Sequence, residues 1–263
     1  MTNKQFKEIR DMAWDWWCKN MLDWAVNTIN DFDNATEWVK NGVDNSLEPD
    51  NLQKLLRLSQ SRNFDVNYTK ELLEFLQAKR DHNEYKMIDA LCDMVIVSIN
   101  AGAVLGNDCS EMLYSNITNP LRYRPTYVRG LLFEIRKRGY DPYKCLVETI
   151  KELNTRTGAW NEQEGKWCKD LGAYTEQEAY EIAKEKGIFY NFGLEYDKKT
   201  KEPYWVSDTN HSADWKKLKI KKWYKADYEN CKIAVCPYCK NNCGYGKYVE
   251  CQNCGMKFQT IAD

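Results

Sequence analysis

Four carboxylates stand at spacings that let them act together. Glu71 and Glu74, in KELLEFLQ, are three residues apart, and Asp89 and Asp93 are four apart. On a helix either spacing brings the pair to one face. Asn100 follows Asp93 by seven residues on the same stripe, which is flanked by Ile88, Leu91, Met94, Val95, Val97 and Ile99. An ionised carboxylate is costly to bury unless it is paired or holds a cation. If the two helices pack side by side, four carboxylates and an amide face one another. Such an oxygen-rich set suits magnesium or manganese rather than zinc. Two blander roles fit the same residues. Glu71 and Glu74 could be the solvated side of an amphipathic helix, and Asp93 with Asn100 could satisfy a buried arginine such as Arg129 or Arg136.

The cysteines carry a second chemistry. Five of the eleven fall between Cys236 and Cys254, an uneven and odd distribution that makes a poor disulfide framework. Cys236-x-x-Cys239 and Cys251-x-x-Cys254 are separated by 11 residues. Two such turns bring four thiolates onto one tetrahedral ion, with Gly255 permitting the second turn, and the segment resembles a zinc ribbon. With no ligand position left open, the zinc would be structural. Cys243 is a spare whose spacing fits worse. Histidine offers only His82 and His211, neither beside an obvious nucleophile.

The elements that must position these groups are mainly helical as far as residue 160. Phe6, Ile9, Met12, Ala13 and Trp16 form one apolar stripe, continued by Met21, Trp24, Ala25 and Ile29. A polar break over 41–50 precedes a helix from Asp50 through Leu58. Ser61 to Asn67 reads as a loop, and Thr69 as the cap of KELLEFLQAKR, which ends in DHNE. YKMIDALCDMVIVSINAGAVLG is apolar nearly all round, as a central bundle helix should be, with Gly106 suited to its C-terminal cap. Beyond Pro120 and Pro125, Thr126 opens YVRGLLFEIRKRG, closed by Gly139. DPYKCLVETIKELNTRTG then begins with Asp141 and Pro142 in cap and first-turn positions. After Ala159 a short helix is expected at TEQEAYEIAKEKG. A strand pair, FYNFGLEY and EPYWVS, should follow across a DKKTK turn.

Net charge is −1, from 38 basic and 39 acidic residues, so there is no bulk positive field for general nucleic-acid binding. The N-terminus lacks the plan of a secretory signal, and the longest apolar run is too short to span a bilayer. A cytoplasmic protein with reduced thiols and no membrane contact is expected. The order Glu71-x-x-Glu74, loop, Asp93, then Asn100 resembles the all-alpha nucleoside triphosphate pyrophosphohydrolases, a superfamily of MazG-like proteins, dimeric dUTPases and phosphoribosyl-ATP pyrophosphohydrolases. IKELNTRTGAWNEQEGKW and WYKADYENCK look like C-terminal parts of phage-type MazG-like proteins. One position departs: the second acidic pair should begin at Ala90, and Asp89 is the nearest substitute.

The resemblance implies a mainly α fold, a helical bundle of that type with a small β-containing insertion and the C-terminal zinc ribbon. Expected domains are residues 1–165, 166–221 and 222–263. It implies a hydrolase that cleaves a (deoxy)nucleoside triphosphate to the monophosphate and pyrophosphate. Glu71, Glu74, Asp89 and Asp93 would hold Mg2+ or Mn2+, and Glu71 or Glu74 would position or deprotonate the attacking water. Asn100, Lys151, Arg156, Lys225 and Asp227 are the implied substrate contacts, and a homodimer or homotetramer the implied assembly. A competing expectation is a regulatory or nucleic-acid-binding zinc-ribbon protein on a degenerate helical scaffold. The missing acid at Ala90 supports that alternative.

Overall fold

The computed structural model describes residues 1–20, 49–101, 128–161, 163–164, 166–209, 216–233, 248–250 and 254–259. The described helices are α1 (Asn3–Asn20), α2 (Pro49–Arg80), α3 (Glu84–Asn100), α4 (Val128–Lys137), α5 (Pro142–Thr155) and α6 (Glu176–Glu185). Three sheets accompany them. Among the described residues helix makes up 55% and strand 19%, which corrects the expectation of a mainly α helical bundle with a small β-containing insertion. The chain is mixed α and β. It divides into two compact units, Met1–Ile150 with Ala226–Asp263, and Lys151–Lys225. The second unit begins inside α5.

In the first unit α3 is the central element and packs against α1, α2 and α4. Its buried residues run nearly all the way round, from Met87 to Asn100, as its apolar sequence requires. Asn83 caps it by accepting from the Lys86 amide at 3.0 Å. The helix closes at Asn100, where the Ala101 amide donates to the Val97 carbonyl. Gly106, expected as the cap, lies outside the described residues, as do Met21, Trp24, Ala25, Ile29 and Thr126. Helix α2 corrects a second expectation, because no loop interrupts it at 61–67 and Thr69 lies in its interior. The reason is visible in the packing. Phe64, Tyr68, Glu71, Phe75 and Ala78 are all buried and recur at steps of four, three, four and three, one continuous seam that a loop would break.

The second unit holds a hairpin, β1 (Gly158–Asn161) with β2 (Lys166–Lys169), and a four-stranded sheet. That sheet comprises β3 (Gly172–Ala173), β4 (Tyr190–Tyr196), β5 (Pro203–Asp208) and β6 (Lys217–Lys222) in the order β3-β6-β5-β4. The β3–β6 pair is parallel and the others antiparallel. Strand β6 reads KLKIKK. Among its lysines Ile220 is fully buried and packs with Ala173, Ala179, Ala183 and Trp205 beneath α6. Thr175 caps α6 by accepting from the Glu178 amide. The expected turn between β4 and β5 is held by Asp197, whose carboxylate accepts from the Lys199 and Thr200 amides. A last hairpin, β7 (Tyr248–Glu250) with β8 (Lys257–Gln259), closes the described chain.

Candidate metal centre

Glu71 is the one charged residue in the α2 seam and is 8% exposed. Glu74 lies on the flank, its side chain 54% exposed. Both carboxylates converge on one cation, the Lys70 ammonium, at 3.0 Å and 3.2 Å. Partial burial pulls that ammonium's pKa down, but the hydrogen bonds and charges of Glu71 and Glu74 outweigh it and leave it raised. Helices α2 and α3 form a hairpin around a turn at His82, whose φ of 52° is left-handed. At 1.5 Å per residue, Glu71 and Asp93 stand level with each other, each roughly 16 Å from that turn.

On α3, Lys86, Asp89, Asp93 and Val97 form the one stripe left incompletely buried, and Asn100 continues it. Asp89 accepts a 2.7 Å hydrogen bond from the Tyr228 hydroxyl. Ala90, about 100° round the helix from Asp89, is buried in the apolar core and 3% exposed, so Asp89 rather than position 90 meets a polar partner. Asn100 is 3% exposed, and its side-chain oxygen is buried with no hydrogen-bond partner among the described residues. A buried carbonyl oxygen left in this state is costly unless a ligand or ion satisfies it. Arg129 and Arg136, the arginines considered as buried counter-ions, are both exposed. The half-buried arginine of α4's end is Arg138, which pairs with Glu84 and Glu134 instead.

Oxygen donors of this kind are the ones a hard divalent cation takes. Among the described residues no three Cys, His, Asp or Glu side chains already converge as a complete ligand set. Glu71 and Glu74 are drawn to Lys70, and Asp89 to Tyr228.

The remaining expected site residues fall elsewhere. Lys151, Arg156 and Lys225 belong to the second unit. Lys151 and Lys225 are exposed. Arg156 is committed there to the Glu152 carboxylate and to the Tyr174 hydroxyl, the latter at 2.7 Å. Asp227, in the first unit, accepts from the Glu229 amide and the Asn230 side chain and so shapes the 3-10 turn Glu229–Cys231. Of the aromatic residues in WYKADY, Trp223 is packed so closely over Gly172 that an added Cβ would lie 2.0 Å from its ring. Of the ribbon cysteines, Cys236, Cys239 and Cys251 lie outside the described residues. Cys254 sits in the turn between β7 and β8, followed by Gly255 at φ 68°.

Two features escaped the sequence reading. Tyr228 is 2% exposed and carries its hydroxyl between Asp89 and Thr149, 3.0 Å from the latter. Burial above all, with the nearby charges of Cys92, Asp89 and Asp93, holds its pKa well above the usual tyrosine value. The second is a buried group of thiols, Cys92, Cys145 and Cys231. Hydrogen bonding to Cys231 and Cys92, then burial, pushes the Cys145 thiol far up, so it stays protonated and inert. Comparison of the chain with protein-family models, curated proteins and solved structures finds no match.

Proposed function

We propose that the helical unit is a magnesium-dependent nucleotide pyrophosphohydrolase, splitting a (deoxy)nucleoside triphosphate into the monophosphate and pyrophosphate. The observation that carries this reading is Glu71, a carboxylate seated in the buried seam of α2 and level with Asp93 on α3. Its carboxylate already shares one cation with Glu74. Glu71, Glu74, Asp93 and Asp89 are the residues that would hold Mg2+ or Mn2+. The ion, when bound, supplies positive charge against the phosphate oxygens.

Water adds to the α-phosphorus, the bond to the bridging oxygen breaks, and pyrophosphate leaves. Glu71 or Glu74 orients that water and accepts its proton. The Asn100 amide oxygen, buried at the end of the acidic stripe, accepts from a sugar hydroxyl or completes the cation's oxygen set. A structural zinc on Cys236, Cys239, Cys251 and Cys254, and assembly as a homodimer or homotetramer, belong to the same proposal.

The test is pyrophosphate release from a panel of ribo- and deoxynucleoside triphosphates with Mg2+, run beside Glu71→Gln and Glu74→Gln. Turnover of at least one nucleotide, lost in Glu71→Gln, is the expected result. No turnover of any nucleotide, or full activity in both variants, overturns the reading. Metal analysis of the purified protein should find about one zinc per chain, and light scattering gives the assembly.

A further inference from the structure

We propose that strand β4 is a docking edge for a second copy of this chain. Two β4 strands pair antiparallel about Leu194 and join their four-stranded sheets, an assembly surface that does not depend on the catalytic reading. β4 ends the sheet order β3-β6-β5-β4, so among the described residues one of its edges is open. Open edges are commonly guarded by lysine or proline. β4, YNFGLEY, carries neither. It presents apolar side chains instead, with Leu194 42% and Tyr196 60% exposed.

The ladder fixes which groups that edge offers. The Asp197 amide donates to the Glu202 carbonyl at 2.9 Å. Bonded and non-bonded pairs alternate along an antiparallel ladder. Tyr196–Pro203 and Leu194–Trp205 are therefore non-bonded pairs, as Pro203, without an amide hydrogen, requires. The N–H and C=O groups of Leu194 and Tyr196 thus point away from β5, to the open edge. Their side chains share the face of Trp205, where Phe192 also packs beneath α6. Gly193 and Glu195 lie on the other face, and there the Tyr204 hydroxyl donates to Glu195 at 3.2 Å. A bulge at Asn191, φ 49°, ends the regular stretch at one end, and the Asp197 turn ends it at the other.

Pairing these outward groups across a two-fold axis puts the axis at Leu194, Glu195 or Tyr196. At Glu195 it sets that carboxylate against the partner's Glu195, and at Tyr196 it sets it against the partner's Asp197. Like charges directly opposite are destabilising. An axis at Leu194 places Glu195 opposite the partner's Gly193, and a Cβ added at Gly193 meets nothing within 4 Å. On the other face Leu194 then meets the partner's Leu194, and Tyr196 meets the partner's Phe192. Cross-strand apolar and aromatic pairs of this kind stabilise a sheet. The strand is thus complementary to its own copy in one register. So short an edge contact falls below the roughly 1,200 Å² of stable interfaces, so the pairing is a reversible equilibrium.

The experiment is sedimentation velocity on the full chain across micromolar concentrations, with pyrophosphate release assayed in parallel. Variants are Gly193→Lys, Gly193→Glu, Gly193→Glu with Glu195→Lys, and Leu194→Pro. Position 193 has open space, so both long side chains fit the single chain. Gly193→Lys meets the partner's Glu195 on both sides of the axis and should tighten association at least about threefold. Gly193→Glu should weaken it by a similar factor, and adding Glu195→Lys should restore it. Leu194→Pro removes an outward amide, leaves the β4–β5 ladder its hydrogen bonds, and should abolish association. Circular dichroism shows whether each variant folds. If Leu194→Pro does not, the opposed Gly193 variants carry the test. A wild type that stays monomeric overturns the inference, as does an assembly that Gly193→Lys and Gly193→Glu leave unmoved or shift alike. Nucleotide turnover by a monomer overturns this inference alone. Association that follows the charge at position 193 without turnover overturns the catalytic reading alone.

Discussion

Glu71 and Glu152 are both glutamates buried in helices, 8% and 6% exposed, one in each unit. Their surroundings differ in kind. Glu152 meets the Arg156 guanidinium one turn along α5, and the Tyr174 hydroxyl donates to it at 2.9 Å. Burial pushes Tyr174 up, so that hydroxyl keeps the proton it donates. Guanidinium, phenol and carboxylate make a closed local network that holds Thr155, Arg156 and β3 in register. Glu71 instead shares Lys70 with Glu74, and that lysine side chain is 67% exposed. An exposed ammonium bridging two carboxylates is easily displaced by a divalent ion. A buried carboxylate is therefore not by itself a functional signal; the rigidity of its counter-charge separates scaffold from site.

The largest expected effect tests that contrast directly. Glu71→Gln should lower turnover at least about 100-fold while changing stability by less than about 1 kcal/mol in urea unfolding. Glu152→Gln should do the reverse. It leaves Arg156 without its anion and should cost about 1–3 kcal/mol, with Mn2+ binding unchanged. Equal destabilisation by the two variants, with turnover intact in both, would erase the distinction.

Next in size is a packing effect confined to the second unit. Gly172→Ala drives a methyl into the Trp223 ring, and the 2.0 Å approach leaves no room for a small adjustment. A loss of about 1–3 kcal/mol is expected, measured by thermal unfolding. Hydrogen exchange should localise it to β3 and β6. Exchange rising equally in α2 and α3 would show that the two units unfold together.

Much of the frame was legible because it rests on local chemistry. Asp141 stands where an N-cap was expected, Thr175 opens the helix expected at TEQEAYEIAKEKG, and Gly139 and Gly187 take the left-handed φ that ends a helix. The strands at 190–196 and 203–208 lie on either side of the DKKTK turn, as expected. The misses share a cause. Residues 61–67 look like a loop because their polar residues dominate the composition, while the seam that keeps them helical needs Phe64 and Tyr68 packed in place. Strand β6 was hidden by its lysines, because the sheet that buries Ile220 is assembled from distant segments. Of the candidate centre, the acidic spacing was visible, but Tyr228 is 139 residues from Asp89 and no local pattern links them.

The two caps give a smaller and matched pair. Asp141 accepts from the Lys144 amide at 3.0 Å in the first unit, and Thr175 from the Glu178 amide at 3.2 Å in the second. Each alanine substitution should cost about 1 kcal/mol. Circular dichroism melts of the two variants should therefore shift alike. Their hydrogen exchange should diverge, with the loss for Asp141→Ala confined to α5 and its neighbours in the first unit.

The smallest effects lie at opposite ends of the pH scale and separate the units by charge. In the second unit Asp170 accepts from Thr157 and pairs with Lys221 at 2.9 Å, and these contacts hold its pKa below the usual 3.8. A lowered carboxylate pKa stabilises the fold above the unfolded value and loses that contribution as pH falls through the folded value. The wild type should thus exceed Asp170→Asn slightly in stability at pH 6, and the gap should close below 3.8. In the first unit burial, then the charges of Glu229 and Glu84, pushes Tyr140 from 10.0 to about 12. The folded state here favours the protonated phenol, so its contribution is complete below pH 10 and drains away as pH rises toward about 12. Hydrogen exchange at pH 3 and pH 11 should accordingly loosen β6 first in acid, and the Tyr140–Lys232 bridge first in alkali. Loosening of the same segment at both extremes would mean that neither tyrosine nor aspartate governs its own unit.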